Sequence, residues 1–312
     1  MRYFDRESVE QTLSPEIALQ LSYEAFALVS QGKIEQTLRS VIAADDGRLM
    51  GTMPAYIKTG PYAGFGLKTV KVDFSQPGHA SHEGAILLYD ASANGEMAVV
   101  DAGAITELRT AAASALATKL LSPPDASHLA MLGTGVQARR HLEMLLTVRP
   151  IRRITLWGRN RENTARLADW CSGYNLEVTL ADTPAQAVRE AEIICTVTAA
   201  KAPFLHRQDL PPRCHINAVG ASAQGFQELA ADVYSAVELY VDSREAVWNA
   251  STCLRQASDQ GIIAQTGWSK EIGELGAGPV PASGGSTLFK SVGVAAQDLV
   301  FARALIALAD PA

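Results

Sequence analysis

The spacing of apolar residues changes along this 312-residue chain, and each change predicts a different kind of element. From Pro15 to Gln31, Ile17, Leu21, Ala25, Leu28 and Val29 recur at roughly helical intervals. Ser14 stands where a helix cap belongs, and Pro15 takes the first helical position, where a missing N–H costs nothing. The pattern then shortens into runs rich in Val, Ile, Leu, Phe and Tyr: Ser40 to Ala44, Leu49 to Ile57, Gly66 to Phe74, and Ala85 to Tyr89. These predict strands. Asn94-Gly95, between Tyr89 and Met97, predicts a hairpin, because both central residues of such a turn need positive φ. From Glu107 to Leu121 an Ala-rich stretch with Leu along one face predicts a connecting helix, stopped by Ser122-Pro123-Pro124.

After Pro124 strand and helix alternate: Leu129 to Leu132, Val136 to Leu146, Ile154 to Trp157, Glu162 to Cys171, Glu177 to Leu180, Pro184 to Ala191, and Ile193 to Val197. Such alternation implies a parallel sheet covered by helices. His215 to Val219 and Leu239 to Val241 add two strands and bring the expected total to six. The apolar, Ala-rich stretch from Val292 to Ala309 predicts a helix that returns to the first domain. The expected fold class is α/β: a Rossmann-type doubly wound parallel sheet over residues 120–292, and a smaller, discontinuous α+β domain from residues 1–119 and 293–312.

Composition narrows the function. Hydrophobic residues make up 47% and charged residues 19%, and a formal charge of −6 offers no basic surface for nucleic acid. Cys171, Cys195, Cys214 and Cys253 form no CxxC pair and have no His at ligand spacing, so no metal site is expected and buried thiols are. The start, Met-Arg-Tyr-Phe-Asp, lacks the apolar core of a signal peptide, and no run of apolar residues is long enough to span a bilayer. A cytoplasmic protein without membrane partners is expected.

Gly133-Thr134-Gly135-Val136-Gln137-Ala138 follows an apolar run and opens a predicted helix. Gly133 allows a tight turn, Gly135 lets backbone approach a pyrophosphate, and Ala138 packs helix on strand, as in dinucleotide-binding turns. Such turns bind phosphate because unpaired N–H groups and the helix dipole converge there. NAD-binding sheets end their second strand with an acid for the ribose hydroxyls. Here Gly158 stands in that place, followed by Arg159, Asn160 and Arg161. Two guanidinium groups suit a 2′-phosphate, so NADPH is expected in preference to NADH, and Gly158→Asp is expected to shift that preference. The same two arginines also fit an ordinary solvated loop. Thr196 and Thr198, at the carboxyl end of the fourth strand, are further cofactor candidates.

Several segments, in order along nearly the whole chain, resemble the ornithine cyclodeaminase/mu-crystallin family. They are Lys68 in Gly-Leu-Lys-Thr-Val, His82-Glu83-Gly84, Leu108-Arg109-Thr110-Ala111-Ala112, the glycine turn, Asn217 to Ser222, Val241-Asp242-Ser243, and Phe289-Lys290-Ser291-Val292-Gly293. The resemblance implies a substrate-binding and dimerisation domain built from the N-terminal segment and the C-terminal helix, a Rossmann domain between them, and a homodimer acting on amino acids or related imines. It implies that Arg39, Lys68 and Arg109 surround the substrate, with the arginines on its carboxylate. It also puts Ser81 and His82 near the nicotinamide and adds Arg109, Val219 and Ser291 to the cofactor candidates. A forked guanidinium can hold a carboxylate by two parallel bonds and orient the adjacent C=N for attack.

Cyclodeaminases of the family carry an Asp two residues beyond a Val-Gly pair, where this chain has Ser222. A serine cannot take a proton at neutral pH without a partner base. The chain therefore resembles most the mu-crystallin-like ketimine reductase branch. The resemblance implies an NADPH-dependent reductase of small cyclic 2-carboxylate imines, such as Δ1-pyrroline-2-carboxylate or Δ1-piperideine-2-carboxylate, giving an amino acid. Lys68, His82 and Glu83 remain open as proton donors, with His82 preferred; Ser222 joins the substrate candidates. The alternatives are an ornithine-type cyclodeaminase using NAD, and a weakly catalytic NADPH- or small-ligand-binding protein.

Overall fold

The computed structural model describes residues 1–73, 82–91, 95–264, 266–276, 278 and 284–309. The chain folds as two compact units, residues 1–112 with 294–312, and residues 113–293. Among the described residues no helix is long and apolar enough to cross a membrane.

The first unit begins with β1 (Arg2–Phe4), α1 (Arg6–Thr12) and α2 (Pro15–Ser30). Ser14 caps α2, its side chain accepting from the amide of Ile17, with Pro15 at the first position as the sequence predicts. Five strands follow: β2 (Ile34–Gln36), β3 (Ser40–Ala43), β4 (Leu49–Ile57), β5 (Gly64–Val72) and β6 (His82–Leu88); β7 (Ala98–Asp101) then completes a seven-stranded sheet of order β1-β7-β6-β5-β4-β2, with β3 on β4. β1 runs parallel to β7, and every other pairing is antiparallel. Gly95 adopts a φ of +72° between β6 and β7, as a hairpin turn needs; Asn94 lies outside the described residues.

Alternation decides what each strand buries. Gly66, Lys68 and Val70 of β5 face inward, and register sets Lys68 between Met53 and Ile86. The C-terminal helix (Ala295–Ala309) packs against α2 and across β4, β5 and β6 on that inner face. The opposite face is apolar and, among the described residues, uncovered within the unit. Pro54, Leu67, Leu87, Val99 and Tyr3 follow one another in register across it, and Tyr56 stacks on Phe65 with centroids 4.3 Å apart.

Helix α3 (Ala102–Leu121) carries the chain into the second unit. It starts before Glu107, where the apolar pattern predicts its beginning, with the Asp101 side chain accepting from the amide of Ala104 at its entry and Ala102 to Thr106 buried. Arg109 therefore lies inside the helix and not at its start. Beyond come β8 (His128–Leu132), α4 (Val136–Leu146), β9 (Arg153–Trp157), α5 (Arg161–Cys171), β10 (Glu177–Leu180), α6 (Pro184–Val188), β11 (Ile193–Thr196), β12 (His215–Ala218), β13 (Val237–Val241), α7 (Arg244–Ala250), α8 (Thr252–Asp259), β14 (Lys270–Glu271) and β15 (Ser286–Lys290). They build a Rossmann-type parallel sheet of order β10-β9-β8-β11-β12-β15-β13-β14. The sheet has eight strands, not the six expected. Both additions escape a periodicity search: β14 has two residues, and β15 is buried at every position, so Ser-Thr-Leu-Phe-Lys shows no alternation.

Candidate functional site

In the second unit the carboxyl ends of the parallel strands carry the cofactor candidates. Gly133 follows β8 with a φ of +128°, and a Cβ there would lie 2.7 Å from the Val197 carbonyl. No residue with a side chain fits. Gly135 caps α4 without a side-chain hydrogen bond, and a Cβ built on it would meet nothing within 4 Å. The amino end of α4 is thus open to an approaching anion, while Ala138 is buried as the packing residue of the turn. Thr134 is half-buried, Val136 is exposed, and Gln137 follows them at the start of α4. These features fit the pyrophosphate of a dinucleotide.

Past β9, the candidates separate. Arg159 is exposed and makes no ion pair among the described residues. Arg161 is paired with Asp182, and the Asn160 side chain caps α5 by accepting from the amide of Asn163. Of these two arginines, Arg159 alone is without an ion pair among the described residues. Gly158 proves to be a packing requirement: a Cβ there would lie 2.5 Å from Thr134 Cγ2 and 2.8 Å from Thr164 Oγ1. Gly158→Asp would therefore have to displace the Thr134 and Thr164 side chains, a cost beside the shift in cofactor preference expected of it.

The Thr196 side chain is buried, and its hydroxyl donates to Glu228, as does that of Thr198. Ser222 is half-buried and donates its amide to the Gly220 carbonyl; Val219 is buried and donates its amide to Thr196. Ser291 is buried and donates its hydroxyl to Asp242, 2.9 Å away. Asp242, wholly buried, also accepts from the amides of Ser243, Val292 and Gly293. Burial pushes its carboxyl up from the ordinary value, against the pull of those donors.

In the first unit the substrate candidates converge on a residue that the apolar pattern does not single out. Asp298, on the C-terminal helix, is fully buried; its Oδ1 accepts from Lys68 Nζ at 2.7 Å and from Arg109 Nε at 3.3 Å. Lys68 also donates to Thr106 Oγ1 at 2.6 Å. Arg39, half-buried between β2 and β3, is close enough to act electrostatically on both Lys68 and Asp298. Burial pushes the Lys68 ammonium down to about 8, with Arg109 adding to the effect and Asp298 opposing it. Burial also works against the Asp298 carboxylate, but Lys68 and Arg109 outweigh it and hold its pKa below the ordinary value. Lys68 and Arg109 together on the one Asp298 carboxylate leave an excess of positive charge, the environment that a carboxylate seeks. Asp298 had a signal: it is the one carboxylate in a largely apolar helix that also holds Gln297 and Arg303, and a buried charge needs a partner. Ser81 and the side chain of His82 lie outside the described residues; the His82 backbone opens β6, paired with Val72. Among the described residues no group of His, Cys, Asp and Glu is arranged to hold a metal ion.

Fold and site together define a two-unit α/β protein: a Rossmann-type sheet with a dinucleotide-type glycine turn, and a mixed sheet with a buried Lys-Arg-Asp cluster. Residues 4–308 match the Ornithine cyclodeaminase/mu-crystallin family, and the chain belongs to it. It is 36% identical over 287 residues to the ketimine reductase mu-crystallin of Mus musculus, covering 91% of this chain and 88% of the relative. A Delta(1)-pyrroline-2-carboxylate reductase of Bacillus cereus is 29% identical over 294 residues, covering 91% of this chain and 90% of that protein. Among solved structures, the Thermococcus litoralis Delta(1)-pyrroline-2-carboxylate reductase in complex with NADH and L-proline superposes with a TM-score of 0.91 at 27% identity, over 99% of this chain and 97% of that one.

The packing at Gly158 predicts that Gly158→Ala lowers the thermal midpoint measured by circular dichroism, with about 1–3 kcal/mol lost to overpacking. An unchanged midpoint would mean that Thr134 and Thr164 yield without cost.

Proposed function

We propose that this protein is an NADPH-dependent ketimine reductase of small cyclic 2-carboxylate imines, with Δ1-pyrroline-2-carboxylate and Δ1-piperideine-2-carboxylate as candidate substrates and a cyclic amino acid as product. The observation that carries the reading is the buried cluster of Lys68, Arg109 and Asp298, with Arg39 beside it. Family membership supports the reaction class, as do relatives named for reducing ketimines and pyrroline carboxylates.

Arg39 and Arg109 hold the substrate carboxylate. Asp298 engages Arg109 through Nε, so the guanidinium's outer nitrogens are left to face a ligand. Lys68 has one N–H beyond those given to Thr106 and Asp298, and its pKa of about 8 lets it both bear and release a proton near neutrality. The choice of donor thereby moves from His82 toward Lys68, with His82 and Glu83 at the start of β6. The Gly133–Gln137 turn holds the pyrophosphate, while Thr198, Val219, Ser222 and Ser291 belong to the loops around the nicotinamide half. Arg159 meets the 2′-phosphate. Bound there, the cofactor supplies a hydride to the carbon of the C=N bond.

The protein acts as a homodimer in this reading, a solved family neighbour being described as an alanine dehydrogenase dimer. The exposed apolar face of the mixed sheet, with Phe65 at 56% exposure, is where a second copy packs.

Kinetic, binding and sedimentation measurements test the proposal. Purified protein is expected to oxidise NADPH with cyclic ketimines, and Arg109→Leu to raise KM and lower kcat together, because orientation is lost along with binding. Ammonia release from ornithine with NAD, with no ketimine reduction, would overturn the reaction. The protonated form of Lys68 is the active one, so kcat/KM for reduction should be flat below pH 8 and fall by roughly tenfold per unit above it; a profile flat to pH 10 removes Lys68 from proton transfer. Arg159→Ala is expected to weaken NADPH binding by about tenfold or more while leaving NADH unchanged, and equal losses for both would put the phosphate elsewhere. Phe65→Glu should yield monomers in analytical ultracentrifugation, and an intact dimer would move the interface to another surface.

A further inference from the structure

Two buried charges outside the substrate cluster grip one turn from opposite sides. Glu228 is 1% exposed and makes no ion pair among the described residues. Its Oε1 accepts from the amide and hydroxyl of Thr198, at 2.7 and 2.8 Å. Its Oε2 accepts from the Thr196 hydroxyl at 2.8 Å and the Ala221 amide at 3.1 Å. One carboxylate thereby ties the exit of β11 to the exit of β12. Lys290, at the end of β15 and 1% exposed, donates to the carbonyls of Ala221 at 2.6 Å and Ala218 at 3.3 Å.

Ala221 thus has its N–H on an anion and its C=O on a cation. Between the two contacts the backbone has no slack: a Cβ on Gly220 would lie 2.2 Å from the Thr198 carbonyl and 2.4 Å from Glu228 Oε1. Val219 and Gly220 both donate amides to the Thr196 carbonyl. A neutral turn with these backbone bonds does not require charged side chains to hold it, and burying an ion without a counter-ion is costly. Such a cost is tolerated where fixed backbone geometry has a use.

We propose that Glu228 and Lys290 are positioning residues, a two-sided clamp that fixes the loops 196–198 and 218–222 so that they hold the nicotinamide half of the cofactor in its reactive pose. The inference rests on the reductase reading above. Glu228→Gln keeps an acceptor for Thr198 but turns an N–H toward the amide of Ala221, breaking one side of the clamp; Lys290→Met keeps the volume and removes the other side.

The experiment compares wild type, Glu228→Gln, Glu228→Ala and Lys290→Met at a temperature where circular dichroism reports each folded. It measures NADPH affinity by nicotinamide fluorescence, then kcat and KM for Δ1-piperideine-2-carboxylate. For Glu228→Gln and Lys290→Met, the NADPH Kd is expected to rise and kcat to fall, by roughly tenfold to a hundredfold for an ångström-scale misplacement, while the imine KM changes by less than about twofold. Should Glu228→Ala fail to fold, the two conservative variants carry the test. Folded Glu228→Gln and Lys290→Met with wild-type Kd and kcat would overturn the clamp, as would a change in imine KM alone. If wild type binds NADPH but reduces no imine, the reductase reading falls while the Kd values still judge the clamp. If wild type binds no nicotinamide nucleotide, both fall.

Discussion

The burial of Lys68 constrains the first unit. The period of β5 turns this side chain toward the inner face, between Met53 and Ile86, where an ammonium without a partner could not stay charged. Asp298 resolves the conflict from a different part of the chain, and in doing so fixes Arg109 as well. Removing one member of such a buried pair costs about 3–5 kcal/mol, so the cluster is a commitment of the fold as well as of the site. Its residual positive charge and the lowered proton affinity of Lys68 arise from the same arrangement. Stability and chemistry have one cause here.

The second unit solves a different problem, that of bringing backbone close to backbone and to a phosphate. Gly133 and Gly220 leave no space for a Cβ against Val197 and Thr198, whereas Gly135 faces open space. Buried carboxylates organise the strand exits around them: Glu228 joins β11 to β12, and Asp242 gathers Ser243, Ser291, Val292 and Gly293. The hydroxyls of Thr196, Thr198 and Ser291, which the sequence suggests as cofactor ligands, are engaged by these acids.

Periodicity reveals most of the architecture: α2 with its Ser14 cap, the strands of the mixed sheet, and the β-α alternation of the Rossmann-type sheet are all legible. Lys68, Arg109 and Arg39 are singled out by the resemblance to the family and not by any periodicity, and the fold brings them together. Asp298 is hidden in a helix dominated by Ala and Leu, because apolar periodicity scores the helix and not its exception. Glu228 and Lys290 are hidden for a related reason: each is ordinary in its own segment, and only the meeting of three strand ends gives it a role. β15 lacks alternation because both its faces are covered. Arg159 and Arg161 look equivalent in sequence until Asp182, distant along the chain, engages one of them.

The position of β15 has a consequence for biosynthesis. It lies between β12 and β13, yet it is made after both, so the parallel sheet stays divided until Ser286 to Lys290 have left the ribosome. The helix that brings Asp298 to Lys68 is made later still. The join of β12 to β13 and the Lys68–Asp298 pair therefore both wait for the last-made segments, whereas the core cluster between Ala126 and Cys195 includes no residue of β15. Completion of both units thereby depends on chain made near the end of synthesis, although most of the first unit is made before the second begins.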